Sequence, residues 1–159
     1  MIQPIDIAQW VFVVKIADKP GTLTAAAAVF SNRGISLEGI LGSGIGSTAV
    51  GDGRLVLSFR ATADKQALLY RTLVRLPDVF HVDVYAHNDP QLRVIAIAKL
   101  DLNAKVPKDD DDYSIETLAQ TAHERVVMLN GSPATLEGII AQFRQQDQLR
   151  DIVMSYIAV

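Results

Sequence analysis

The sequence contains no cysteine, which excludes disulfides and thiolate chemistry and leaves the redox compartment open. No apolar run approaches the roughly 20 residues that a membrane-spanning helix needs. The opening MIQPIDIAQ lacks a basic region ahead of an apolar one, so no signal peptide and a cytoplasmic location are expected. Basic charge is not in excess: the net charge is −3, which gives no support to nucleic acid or an anionic membrane as a partner. The three histidines, His81, His87 and His123, stand in no catalytic signature. No pair of carboxylates sits beside a glycine-rich or strained loop in a way that suggests acid–base work. No catalytic residue and no cofactor are therefore expected.

What is present is apolar content, 49% over 159 residues, enough for one ordinary domain or two small ones sharing a surface. The organising stretch is Trp10 to Ile40. Trp10–Ala17 is a β-branched apolar run of strand length. It stops at Asp18-Lys19-Pro20-Gly21, a turn cluster with a donor-free proline and a permissive glycine. From Thr22 the period changes, and Leu23, Ala26, Ala27 and Phe30 fall on one helical face. Asn32-Arg33-Gly34 supplies a stop, with Gly34 suited to a left-handed cap. Ile35 to Leu41 resumes as a strand. A helix start has unpaired N–H groups and a partial positive charge, so the Asp18–Thr22 turn either holds a carboxylate or simply caps through Asp18.

Gly42-Ser43-Gly44-Ile45-Gly46-Ser47 and Val50-Gly51-Asp52-Gly53 follow. A phosphate loop needs a strand before and a helix after, but Arg54–Arg60 reads as another strand. The segment is better taken as a long hairpin connection with Asp52-Gly53 as its turn. Thr62-Ala63-Asp64 opens a second helix with a buried stripe of Leu68, Leu69, Thr72, Leu73 and Leu76, ended by Pro77-Asp78. Val79–Ala86 is a fourth strand, with Val79, His81, Asp83 and Tyr85 alternating against Phe80, Val82 and Val84. His81, Asp83 and His87 share a period of two, yet same-face strand residues stand about 6–7 Å apart and converge poorly on one ion. No metal site is expected. Residues 10–87 thus give βαββαβ, a four-stranded antiparallel sheet with two helices on one face. RNA readers of this order stack bases on central strands, and Leu55–Phe59 offers only Phe59.

Asp18-x-Pro20-Gly21-x-Leu23, then Phe30-Ser31-x-Arg33-Gly34-Ile35-x-Leu37-Glu38, resembles the signature of the ACT domain. That family is a βαββαβ regulatory module that usually senses an amino acid at this loop. Among its members the sequence is most similar to the regulatory small subunits of acetolactate synthase, in which a second, diverged ACT-like half follows. The resemblance implies a non-catalytic regulator that forms a homodimer or higher homo-oligomer and binds a small amino acid. It implies an effector held by Asp18, Lys19, Pro20, Gly21, Thr22 and Leu23 of one copy with Ile35, Ser36 and Leu37 of its neighbour. It also implies a thiamine-diphosphate-dependent catalytic subunit as partner. The family commonly carries Asn where this chain has Asp18 and Ser36. An ionised carboxylate only accepts hydrogen bonds, so Asp18 suits the ammonium of an amino acid and repels its carboxylate. From a different class, an ACT-fold interaction module without any small-molecule effector would carry the same pattern.

Asn88-Asp89-Pro90 is the expected boundary, dividing an ACT domain at 1–88 from an ACT-like domain at 89–159. Leu92–Leu102 reads as a strand, and Asp109-Asp110-Asp111-Asp112 as a solvated loop of mutually repelling carboxylates, since a Ca²⁺ loop would space its acidic positions around a glycine. Ser114–His123 is open between strand and helix, with Ile115, Leu118, Ala119 and Ala122 fitting a short helix. Val126–Leu129 reads as a strand, Asn130-Gly131-Ser132 as a turn, Pro133 onward as a helix with a stripe of Leu136, Ile139, Ile140 and Phe143, and Asp151–Val159 as a closing strand. Pro133-Ala134-Thr135-Leu136 is similar to Pro20-Gly21-Thr22-Leu23, which suggests that the last third repeats the opening, with Ala134 at the place of Gly21.

Overall fold

A computed structural model describes residues 5–44 and 52–159. The chain divides into two compact units, Met1–His87 with Val159, and Asn88–Ala158. The first unit runs β1 (Ala8–Ala17), α1 (Thr22–Ser31), β2 (Leu37–Gly44), β3 (Asp52–Ala61), α2 (Ala63–Leu73) and β4 (Val79–Ala86). Its sheet is antiparallel in the order β2-β3-β1-β4. The run Val11-Phe12-Val13-Val14 lies in a central strand, between β3 and β4, and its Phe12 and Val14 enter the core under the helices. Phe12, Val14, Leu55, Leu57 and Phe59 point to the helices and meet Ala26, Val29, Phe30, Leu69 and Leu73. Three rings anchor this core: Phe59 lies edge-on to Phe12 at 4.8 Å and to Phe30 at 5.0 Å.

Helix boundaries follow local chemistry. Thr62 caps α2 by accepting from the Lys65 N–H at 3.3 Å. After α1, Gly34 takes φ +67°, its N–H donates to Ser31 O at 3.0 Å, and the Ile35 N–H donates to Phe30 O at 3.0 Å. That is the paired closure of a left-handed helix end. In β4 the expected alternation fails, because Phe80 is an extra residue between the Lys15–His81 and Ile16–Val79 pairs. The bulge turns Val79 and Val82 both inward and leaves Phe80 58% exposed.

The second unit contains β5 (Arg93–Asp101), β6 (Tyr113–Gln120), β7 (Glu124–Gly131), α3 (Pro133–Gln145) and β8 (Leu149–Ile157), in the antiparallel order β6-β7-β5-β8. This is the first unit's sheet order with one helix missing. The segment Leu102–Asp112 stands where α1 would be, and its Ala104 and Val106 join the core around Leu129, Leu136, Ile140 and Phe143. The fold class is therefore α+β, a ferredoxin-like ACT domain followed by a diverged ACT-like half.

The topology corrects the expected repeat. Residues of β7-α3-β8 match β3-α2-β4, not β1-α1-β2. Ser132 caps α3 through the Thr135 N–H at 3.3 Å as Thr62 caps α2, and the Asp101 N–H donates to Gln148 O as the Ala17 N–H donates to Asp78 O. Ala134 is thus the counterpart of Asp64, and nothing in the second unit corresponds to Gly21. Ser114–His123 is also settled, since Tyr113–Gln120 is an edge strand.

The acidic run is more ordered than a solvated coil. Asp109 Oδ1 accepts from the Ile115 N–H at 2.6 Å, and Asp110 Oδ1 from the Asp111 N–H at 2.7 Å. α3 ends as α1 does, with the Asp147 N–H donating to Arg144 O at 3.1 Å and the Gln148 N–H to Phe143 O at 2.9 Å. Here the left-handed residue is Asp147, φ 55°, where glycine carries no Cβ penalty. Asp147→Gly is expected to stabilise this unit by about 0.5–1 kcal/mol. Urea denaturation followed by far-ultraviolet circular dichroism measures it, and an unchanged or lower midpoint would contradict the strain.

Candidate functional site

The turn that opens α1 is built by Pro20 and Gly21. Gly21 has φ +89° and ψ −16°, and the Thr22 N–H donates back to Lys19 O at 3.3 Å. Proline second and a left-handed glycine third define a type II turn. A methyl group at position 21 would meet no atom within 4 Å, so this glycine is required by backbone conformation and not by crowding. The turn is tied down on one side, since Lys19 Nζ lies 2.7 Å from Asp78 Oδ1.

Asp18 does not cap α1. The N-cap is Gly21, and no side chain accepts from the first turn. Helix geometry leaves the leading N–H groups of α1 without intrahelical partners. The Asp18 carboxylate lies instead toward the sheet, where a methyl group on Gly44 would stand 3.0 Å from its Oδ2. Gly42, Gly44 and Gly53 belong to the helix-facing side of β2 and β3, pairing with or beside Leu55. Three missing side chains there leave a hollow.

That hollow is a cavity of about 240 Å³ bounded by Asp18, Lys19, Thr22, Leu23, Ile16 and Leu55 as well as the glycines. Thr22 is only 3% exposed, and its Oγ1 has no hydrogen-bond partner. A buried hydroxyl without a partner costs about 1–3 kcal/mol, so it marks a place where a ligand atom or water belongs. Acceptor-seeking N–H groups, a carboxylate and an aliphatic wall thus surround one small space, with the Thr22 hydroxyl buried beside it. Such a set can hold both ends of a zwitterion.

Ile35, Ser36 and Leu37 are not in this cavity. They line another, of about 440 Å³, with Ala27, Phe30, Ser31 and Gly34 at the far end of α1. Ten residues of helix separate the two, a distance of about 15 Å. Of the loop residues, Asp18, Lys19, Thr22 and Leu23 reach the first cavity, whereas Pro20 and Gly21 shape the turn behind it.

Gly42, Gly44 and Gly53 escaped the sequence reading, which assigned them to a hairpin connection. Asp52-Gly53 is strand and not turn, and residues 45–51 lie outside the described residues. The signal was the spacing of two between Gly42 and Gly44, which puts both on one strand face.

The matching end of the second unit carries exposed ion pairs. Arg150 Nη2 lies 2.6 Å from Asp101 Oδ2, and Lys99 Nζ lies 3.6 Å from Glu124 Oε1. The Arg150 guanidinium holds the Asp101 carboxyl below the usual carboxylate range, aided by the Asn103 N–H. Elsewhere, His81 Nε2 lies 2.8 Å from Asp83 Oδ1. Among the described residues no three metal-ligating side chains come together, and no helix is long and apolar enough to cross a membrane.

No protein-family model matches the chain, and no curated protein sequence matches it. Among solved structures it is similar to the acetolactate synthase small subunit of Thermotoga maritima, with 18% identity, 95% of this chain and 96% of that one covered, and a TM-score of 0.69. The ligand-free regulatory subunit of aspartate kinase from Thermus thermophilus aligns over 89% of this chain and 92% of its own, with 14% identity and a TM-score of 0.43, a likeness too loose to argue from. At 18% identity the first similarity speaks for architecture alone: the chain has the tandem ACT-like fold of that small subunit.

Proposed function

We propose that the chain is a non-catalytic regulatory protein that binds a small amino acid between two copies of its first unit. The observation that carries this reading is the small cavity at the uncapped start of α1, lined by Asp18 and by Thr22, whose buried Oγ1 has no partner. The ligand carboxylate is assigned to the α1 N–H groups and Thr22, and its ammonium to Asp18.

The second copy enters through β2. This edge strand has no Lys, Arg or Pro, and it exposes Ile40 at 51% and Leu41 at 38%. Unprotected apolar edges of this kind invite pairing. An antiparallel pairing of two β2 strands about Ile40 and Leu41 sets Leu37 of one copy opposite Gly44 of the other. The Ile35–Leu37 cavity of each copy then adjoins the Asp18–Leu23 cavity of its neighbour, and all nine expected effector residues serve one composite site. By its likeness in fold to an acetolactate synthase small subunit, the chain is assigned a thiamine-diphosphate-dependent catalytic subunit as the partner it regulates.

The test is a thermal-shift screen against the twenty amino acids. A ligand that binds only the folded protein adds about 2.7 kcal/mol at a hundred times its Kd, a rise of roughly 5 °C or more. Ile40→Lys, which places a charge in the middle of the edge, is expected to lower the dimer fraction and this response together. If no amino acid shifts the wild type, the reading fails and the chain is an interaction module without an effector.

A further inference from the structure

The helical layer of the first unit is electropositive although the chain carries 18 acidic and 15 basic residues. α1 has no charged residue at all. Arg33 follows it, and its Nη2 donates to Thr72 Oγ1 at 3.4 Å, which brings this guanidinium beside Arg71 and Arg75. The last two are four residues apart, Arg71 in the last turn of α2 and Arg75 in the turn that follows it. Among the described residues none of the three has a carboxylate at ion-pair distance. Tyr70 and Val74, 36% and 41% exposed, alternate with them. Arginine, tyrosine and an aliphatic residue on one exposed patch are the composition of a protein interface.

The opposite charge is concentrated on the second unit. Asp109–Asp112 are all exposed, and none pairs with a base among the described residues. Two of them are occupied in holding the loop: Asp109 on the Ile115 N–H, and Asp110 on the Asp111 N–H, with Asp110 also bridged to Tyr113. The turn is therefore preorganised, and it presents four adjacent carboxylates at little ordering cost. Three exposed guanidinium groups and a preorganised carboxylate turn are complementary in charge.

We propose that the Arg33, Arg71 and Arg75 patch seats the Asp109–Asp112 turn of a second copy of this chain. This contact is separate from the β2 edge and does not depend on an amino acid being bound.

Sedimentation velocity of the full chain tests this at about 20 mM and about 500 mM salt, because contacts between exposed charges are screened within a Debye length. Wild type is expected to show an association step that weakens at least tenfold at the higher salt. Arg71→Glu with Arg75→Glu, and separately Asp111→Lys with Asp112→Lys, should each abolish that step. The chain carrying all four changes should regain it, since the charges are then exchanged. All of these positions are exposed, and circular dichroism confirms that each variant is folded. The proposal is overturned if either reversal leaves the step unchanged, if the fourfold variant does not recover it, or if wild type shows no salt-sensitive association. Loss on the arginine side alone would mean that another surface of the second copy meets the patch, and would overturn the proposal equally.

Discussion

Phe59→Ala is expected to destabilise the first unit by about 3–5 kcal/mol, the usual cost of deleting a buried ring. Phe59 has no exposed surface, and it is the ring common to both close aromatic contacts of the core. Its removal takes away area burial and two edge-on contacts of roughly 0.5–1.5 kcal/mol each. Neither Phe12 nor Phe30 can collapse into the gap easily, because one is fixed in the central strand and the other at the closed C-terminal end of α1. A small unit with a total stability of about 5–15 kcal/mol would lose much of its margin. The readout is built in: Trp10 is the only tryptophan, it lies in β1, and its Nε1–H donates to Ala61 O at 3.1 Å. Fluorescence in urea therefore follows this unit and not the other. Phe80→Ala is the control, with the same atoms removed from a ring that is 58% exposed. If the two variants shifted the midpoint equally, burial in this core would not be what stabilises the unit.

The same contrast shows what could be read from the residues. β1, α1 and the order of the first unit were legible because each signal was local and agreed with its neighbours. The unbroken apolar run marked a strand, Pro20-Gly21 the turn, and Gly34 the helix end. Bulges were not legible. Leu118 is an extra residue between the Thr117–Val127 and Ala119–Val126 pairs, and inserting one residue into a period of two imitates the three-and-four spacing of a helix. Hence Ile115, Leu118 and Ala119 fit a helix while forming a strand. Phe80 misled in the same way within β4. The second unit was misaligned because Pro-x-Thr-Leu looks alike in both halves, whereas the true counterpart of Ser132 is another cap, Thr62. A cap is one hydrogen bond, and many sequences supply it.

At the candidate site the loop was visible and the floor was not. Asp18, Lys19, Thr22 and Leu23 announce themselves as a turn leading into a helix. That Gly42, Gly44 and Gly53 lie beneath them depends on strand register, which joins residues far apart in the chain. The division of the effector residues between two ends of α1 is likewise a property of three dimensions. Under the proposed pairing it makes one copy insufficient and gives the open β2 edge a functional meaning.

Thr22→Val separates binding from folding by moving them in opposite directions. The side chain is 3% exposed and its Oγ1 has no partner, so the free protein bears the desolvation cost of a hydroxyl with nothing in return. Valine has the same shape and removes that cost. Stability without ligand should be unchanged or higher by up to about 1 kcal/mol. A ligand carboxylate resting on this hydroxyl would lose a charge-assisted hydrogen bond, which contributes about 1.5–3 kcal/mol. The Kd should therefore rise roughly 10- to 150-fold. Calorimetric titration with the amino acid returned by the screen gives the second quantity, and urea denaturation followed at Trp10 gives the first. A structural role alone would lower stability and leave affinity intact. Equal affinity in wild type and Thr22→Val would remove the hydroxyl from the site, and a large loss of stability would mean that it is satisfied in the folded protein after all.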